Sequence, residues 1–259
     1  MKKFLLAILL ALIIPAAVFA ADKTIVIGVT PFPHKDIMTV VKGVLAKEGY
    51  DLQIKEFTDY VTPNTALAEK SLDANFFQHV PYLENMNKEK NLGLIWVAKI
   101  HIEPLGLYSK KIKKLNEIKT GAQIAIPNDP TNCARALRLL EKNGLIKVKA
   151  GDLVTAKDVT YNPKKIKFHE LDAAQLPRTL QDVDASVINT NFAVEAKLIP
   201  AKDAIIIEGK DSPYANVIAV RAADKNSPKI KALVKAANSK EVRAFIEREL
   251  VPKGIVPAF

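Results

Sequence analysis

Ser71–Glu84 reads SLDANFFQHVPYLE, and its layout returns far downstream in Asp182–Glu195, DVDASVINTNFAVE. In each, an Asp-Ala pair (Asp73-Ala74, Asp184-Ala185) leads into an apolar run, Phe76-Phe77 or Val187-Ile188. Polar residues follow at once: Gln78 and His79 in the first copy, Asn189, Thr190 and Asn191 in the second. A second apolar stretch then runs to Glu84 or Glu195, each eleven residues after its Asp. The pattern reads as strand, polar loop, helix, with the polar residues emerging at the carboxyl edge of a sheet. Ligands of open α/β sheets bind at that edge. Two such edges in one chain imply two lobes facing one cleft.

The flanking sequence supplies the rest of those sheets. Lys23–Thr30, KTIVIGVT, is a β-branched run that predicts a buried parallel strand, followed by the loop Pro31–His34 and a helix over Asp36–Lys47 closed by Gly49. Further strands are expected at Asp51–Phe57, Leu94–Ala98, Gln123–Ile126, Ile166–Glu170, Ala185–Ile188 and Ala204–Ile207. Helices are expected at Thr65–Ser71, Cys133–Lys142, Ala173–Gln181 and within Pro228–Leu250. This alternation predicts parallel sheets covered on both faces. Extended segments near Pro104–Tyr108 and Ser212–Val217 are the expected crossings between lobes. One lobe then combines residues 21–105 with 216–259, and the other is 106–215.

The first residues carry an address. Met1-Lys2-Lys3 is basic, Phe4–Ile14 is purely apolar, and Val18-Phe19-Ala20 offers a small-residue cleavage site before Ala21. This is the pattern of a secretory signal peptide, residues 1–20. The alternative, a membrane anchor, needs a longer apolar run, about 20 residues. Removal of the segment takes Lys2 and Lys3 with it, and the formal charge falls from +10 to +8. The remaining lysines are dispersed and not interleaved with aromatics, which argues against a nucleic-acid partner. Cys133 is the one cysteine, so no internal disulfide and no thiolate-rich metal site can form.

Arg135 is the strongest single candidate for ligand chemistry. A cation in the first helical turn is unfavourable unless an anion is supplied, and Thr131 or Asn132 could cap such a helix. A ligand carboxylate would meet both the guanidinium and the helix-start amides. A solvated arginine, or one paired with Glu141 or Asp129, is the alternative. Asn189 lies just past a strand, where an amide oxygen could accept from an α-ammonium; an Asx-turn or helix cap would explain it as well. Asn216 sits at the second crossing. Tyr60, Phe76, Phe77, Tyr82 and Tyr214 form the aromatic set, and alternation along a strand sends Phe76 and Phe77 to opposite faces. Phe77, with His79 pointing the same way, is the expected ligand-facing member. His34, His79, His101 and His169 show no ligand spacing, so no metal and no cofactor are expected. Enzyme signatures such as G-x-S-x-G, a phosphate loop or H-E-x-x-H are absent from the sequence.

DYVTPN (59–64), LDANFFQHVPYLE, YSKKIKKLNEI, IPNDPTNCARAL, LPRTL, VINTNFA and SPYANVIAVR together resemble the NlpA family, the methionine-binding substrate-binding proteins of ABC importers. The resemblance runs through nearly the whole mature chain, in order. It implies a type II periplasmic-binding-protein fold, with two Rossmann-like α/β lobes, a cleft between them and two crossover strands. It implies binding of L-methionine, or of a close analogue, and delivery to a membrane permease with its ATPase by a monomeric protein. By the same resemblance Arg135 would hold the ligand carboxylate, and Asn189 and Asn216 its main-chain polar groups. Tyr60, Phe77, His79 and Tyr82 would line the side-chain pocket. Many family members are lipoproteins with a cysteine after the signal sequence; none stands near Ala20, so a freely diffusing periplasmic protein is expected. Alternatives are a receptor for another amino acid or a methionine-containing dipeptide, and an enzyme on the same scaffold using Glu103 or Glu170 as general acid. A third is a metal or adhesion protein that uses the basic surface.

Overall fold

The structure, a computed structural model, describes residues 23–209 and 212–259; the expected signal peptide lies outside the described residues. The chain opens with β1 (Thr24–Val29), α1 (Asp36–Lys47), β2 (Asp51–Glu56), α2 (Thr62–Ala68), β3 (Ala74–His79), α3 (Val80–Lys90) and β4 (Leu94–Ile102). Next come β5 (Gly106–Tyr108), β6 (Gln123–Pro127), α4 (Pro130–Lys142), β7 (Lys147–Val148), β8 (Val159–Tyr161) and β9 (Lys167–Leu171). They are followed by β10 (Ala185–Ile188), α5 (Thr190–Glu195), α6 (Pro200–Asp203) and β11 (Ile206–Ile207). β12 (Ala215–Arg221), α7 (Pro228–Ala237), α8 (Lys240–Phe245) and β13 (Val256–Pro257) complete the chain.

Two large sheets organise these elements. One has the order β13-β4-β12-β3-β1-β2, the other β11-β5-β10-β6-β9. In the first, β1 runs parallel to both β2 and β3; in the second, β6 runs parallel to both β9 and β10. Each sheet has its own core. Ile25, Ile27, Val29, Val41, Leu45 and Leu233 are fully buried in one, and Ile124, Ile126, Leu137, Leu140 and Val187 in the other. The chain passes between the sheets twice, from β4 to β5 and from β11 to β12.

The two echoing segments occupy equivalent places, and their aspartates show why the layout repeats. The Asp73 backbone N–H donates to the Val26 carbonyl at 2.7 Å, while its carboxylate accepts from the Val26 N–H at 2.8 Å. Asp184 does the same to Gln123, at 2.9 and 2.7 Å. Each aspartate therefore clamps the next strand of its sheet at two points and fixes the register in which the third strand pairs. A one-residue slip would exchange the side chains between the two buried faces of β3 or β10.

Several expectations need correction. The sheets are mixed, because the strands nearest the crossings run against the rest: β12 is antiparallel to β3 and β4, and β5 to β10 and β11. A strand arriving from the other lobe enters from the opposite end, and no local pattern records that. β3 continues through Gln78 and His79, which the sequence placed in a loop. α2 begins at Thr62, three residues earlier than expected, with Pro63 in its first turn. The helix expected at Ala173–Gln181 is a 3₁₀ segment, Leu176–Gln181. The small β7–β8 hairpin has no counterpart in the expected elements. Asp73→Ala and Asp184→Ala should each lower unfolding free energy by about 0.5–1.5 kcal/mol through loss of a strand hydrogen bond, with the larger effect at the less exposed bond of Asp73. Urea denaturation of the two variants checks this.

Candidate functional site

The polar ends of β3 and β10 face each other across a shared cavity. Tyr60, Phe77, His79, Tyr82 and Asn216 line it from the first sheet's side, and Arg135 and Asn189 from the second's. All seven residues singled out in the sequence thus converge on one enclosed space. Phe76, on the opposite face of β3, is fully buried in the first core, as strand alternation requires.

The aromatic wall is a packed unit. The Tyr60, Phe77 and Tyr82 rings lie within about 6 Å of one another, and Tyr60 also packs on Phe192 of the other lobe at 5.0 Å. The Tyr82 hydroxyl donates to the Tyr60 carbonyl at 2.9 Å, which holds the loop before α2 in place. His79 caps α3: its Nδ1 accepts from the Tyr82 N–H at 3.1 Å. That leaves Nε2 to donate to Asn132 Oδ1 across the cleft at 3.2 Å. Tyr60 makes a second bond across the cleft, its hydroxyl donating to Asn191 Oδ1 at 2.6 Å. The two lobes are closed on one another.

The polar wall is built around amides. Asn189 Nδ2 donates to Asn132 Oδ1 at 2.9 Å, which aligns the amide. Among the described residues Asn189 Oδ1 and Asn191 Nδ2 are buried with no hydrogen-bond partner. A buried acceptor and a buried donor without partners are costly unless a ligand satisfies them. Asn189 is also the first residue before α5, yet its side chain caps nothing.

Arg135 departs from its expected setting. α4 starts at Pro130 and is capped by Asp129, whose side chain accepts from the Asn132 N–H, so neither Thr131 nor Asn132 is the cap. Arg135 therefore stands in the second turn, and the first-turn dipole argument does not apply to it. Its buried charge is met by Glu208: Nε donates to Oε1 at 2.8 Å and Nη2 to Oε2 at 2.5 Å. Nη2 also donates to the Glu103 carbonyl at 2.7 Å, and the guanidinium lies 4.1 Å from the Tyr214 ring centre. Among the described residues nothing bonds Nη1. Glu141 pairs with Arg138 instead, at 2.6 Å.

Glu208 also accepts from the Leu105 N–H at 2.9 Å, so it ties the second crossing to the first. The sequence offered no sign of this residue, which lies 73 positions from Arg135. Asn132, Thr190, Asn191 and Gln78 line the cavity as well and were not chosen in advance. Thr190 and Asn191 adjoin Asn189, so the polar triplet was the available signal. Glu103, considered only as a general acid, lines the cavity too, whereas Glu170 is exposed on β9. His34, His101 and Glu103 bring three potential metal-ligating atoms within 4.8 Å of one another. Their contacts are those of a hydrogen-bonded group: both histidine Nε2 atoms face the same Glu103 oxygen, at 2.7 Å from His101 and 3.4 Å from His34.

The chain's similarities follow this geometry. The sequence profile of the NlpA lipoprotein family matches residues 25–259. The chain belongs to the NlpA lipoprotein family. It is 46% identical over 222 residues to the D-methionine-binding lipoprotein MetQ of Salmonella typhimurium, covering 83% of this chain and 82% of that one. It superposes with a TM-score of 0.88 and 48% identity on a nutrient binding protein from Burkholderia cenocepacia bound to methionine, covering 91% of this chain and all of that one (100%). A periplasmic substrate-binding protein of an ABC transporter from Coxiella burnetii gives 0.87 and 48%, with 90% and 100% covered. The fold of this NlpA member is the two-lobed type II periplasmic-binding-protein fold.

Burial makes His34, His79 and His101 of this family member acid-sensitive. Desolvation lowers His79 to about 3, with the Arg135 charge adding to the effect. It lowers His101 to about 3 and His34 to about 4, the latter against an upward pull from Glu103. A histidine held neutral in the fold but free to protonate when unfolded stabilises above its unfolded value, 6.5, and loses that contribution as pH falls toward the folded value. Urea midpoints should therefore drop between pH 6.5 and pH 4, and the drop should be shallower in His34→Gln.

Proposed function

We propose that this protein is the substrate-binding component of an ABC importer and carries L-methionine, or a close analogue, between its two lobes. The observation that carries this reading is the division of the cavity walls. Apolar rings and the His79 edge form one side, and unpartnered amide groups with the free Arg135 edge form the other. An amino acid with a flexible apolar side chain has the matching two ends. Sulfur–aromatic contacts add modestly to the burial of a thioether.

In this reading Arg135 Nη1 takes the carboxylate, Asn189 and Asn216 take the remaining main-chain groups, and Tyr60, Phe77, His79 and Tyr82 enclose the side chain. The lobes are residues 21–105 with 216–259, and 106–215. A ligand that touches both favours the closed arrangement by the contacts it gains there. The closed, monomeric protein then docks on a membrane permease served by an ATPase, and it catalyses no reaction. Export by the expected signal peptide brings it to the periplasm. The chain's one cysteine, Cys133, is buried within α4. Among the described residues no helix is long and apolar enough to cross a membrane.

Calorimetric titration of protein stripped of ligand, against all the common amino acids and both methionine enantiomers, tests the assignment. Heat with methionine is expected; heat only with another amino acid or a methionine-containing dipeptide would replace the ligand and keep the carrier role. Arg135→Ala should abolish binding of every ligand. Phe77→Ala should mainly relax side-chain preference, and equal losses across ligands from both changes would undo the division of walls.

A further inference from the structure

Tyr214 stands on the second crossing, immediately before β12, and its ring meets side chains of both lobes. The ring centre lies 4.1 Å from the guanidinium carbon of Arg135 on α4. It lies 5.0 Å from the centre of the His79 ring at the end of β3, inclined at 65°. Arg135 and His79 line the ligand cavity, and Tyr214 lies on their outer side, where it lines a groove between α3 and α4. Glu84 and Lys88 of α3, Arg138 of α4 and the exposed Asp152 form the walls of that groove. A single half-buried ring therefore stands between the outer groove and the two side chains that enclose the ligand.

How each closing contact is held decides which one opens first. Tyr60 to Asn191 at 2.6 Å and His79 to Asn132 at 3.2 Å are hydrogen bonds across the cleft, and parting either strands polar atoms away from water. The Tyr214 ring is held differently. Among the described residues its hydroxyl has no hydrogen-bond partner, and the ring is kept in place by the faces of Arg135 and His79. Turning it outward breaks those ring contacts and strands no polar group. The guanidinium stays fixed meanwhile, by Glu208 at 2.8 Å through Nε and by the Glu103 carbonyl at 2.7 Å through Nη2. Rotation of a part-exposed side chain is also faster than movement of whole lobes.

We propose that Tyr214 is the gate of the cavity: it sets how fast ligand is exchanged through the α3–α4 groove while the hydrogen bonds between the lobes stay made. This rests on the carrier reading given above and deepens it. The groove suits a zwitterion in transit, because Lys88 and Arg138 are offset by Glu84 and Asp152, and no single sign of charge bars the way. A gate acts on passage in both directions. It changes association and dissociation by the same factor and leaves the affinity, their ratio, where it was. A residue that holds or positions bound ligand acts mainly on dissociation and so changes the ratio.

The test follows radiolabelled methionine on the full mature protein: association on rapid mixing, release into excess unlabelled methionine, and affinity by calorimetry. Tyr214→Ala should speed association and release by about tenfold or more each and keep the affinity within about threefold. Tyr214→Trp, with its larger ring, should slow both. Tyr214→Phe should match the wild type, because the hydroxyl bonds to nothing. Thermal melts establish that each variant is folded; should the alanine variant unfold, the tryptophan variant decides alone. Faster release with an equal loss of affinity in Tyr214→Ala makes the ring a support for Arg135 and overturns the gate. Unchanged rates in the alanine and tryptophan variants overturn it too, as does a phenylalanine variant that behaves like the alanine one. Each of these leaves the carrier reading standing. Wild-type protein that takes up no methionine overturns that reading and the gate with it.

Discussion

The Arg135–Glu208 pair is the constraint on which the cleft depends. Arg135 belongs to α4 of one lobe, Glu208 to the segment leading out of it, and together they bind both crossings: Glu208 holds the Leu105 amide and Arg135 holds the Glu103 carbonyl. A buried guanidinium without a partner would be strongly destabilising. Pairing it at the crossings offsets that cost and occupies Nε and Nη2 of the fork. The Tyr214 ring against the guanidinium plane completes the setting from the second crossing. The cavity wall and the crossings therefore share the same side chain.

Around this clasp the two lobes contribute unequal chemistry from equal frameworks. Asp73 and Asp184 clamp neighbouring strands in the same two-point manner, and β3 and β10 then deliver their carboxyl ends to the same cavity. From β3 come a ring and an imidazole; from β10 comes a run of amides. The frameworks match because parallel strands need the same register control. The walls differ because β3 ends in Phe77 and His79 whereas β10 runs into Asn189, Thr190 and Asn191. Closure is reinforced by bonds that cross the cleft, Tyr60 to Asn191 and His79 to Asn132.

Much of this was legible along the chain. β-branched runs, the Asp-Ala echo and the breaks at Gly49 and Gly144 located the strands and helices of both lobes. Strand alternation separated Phe77 from Phe76. Polar residues at strand ends marked His79 and Asn189. What escaped depended on partners distant in sequence. The antiparallel direction of β12 and β5 is decided by the route between lobes, and the extension of β3 through His79 by pairing with Asn216 of β12. α4 starts earlier than its apolar spacing implies because Asp129 caps it. Glu208 and the cluster of His34, His101 and Glu103 join residues whose separations carry no periodic signal.

The sequence by itself determined the two α/β lobes, the faces of their strands and the family to which the chain belongs, because these follow from local periodicity and from ordered blocks of residues. Only the tertiary structure decided how charge is balanced in the cleft. Arg135 reads in sequence as a cation seeking an anion; in the fold Glu208 supplies that anion. Among the described residues the buried Glu103 carboxylate is paired with no lysine or arginine side chain and has His101 and His34 beside it. Electrostatic pairing inside a protein is set by burial and by distances of a few ångströms between residues far apart in the chain. Such distances exist only once the lobes have closed.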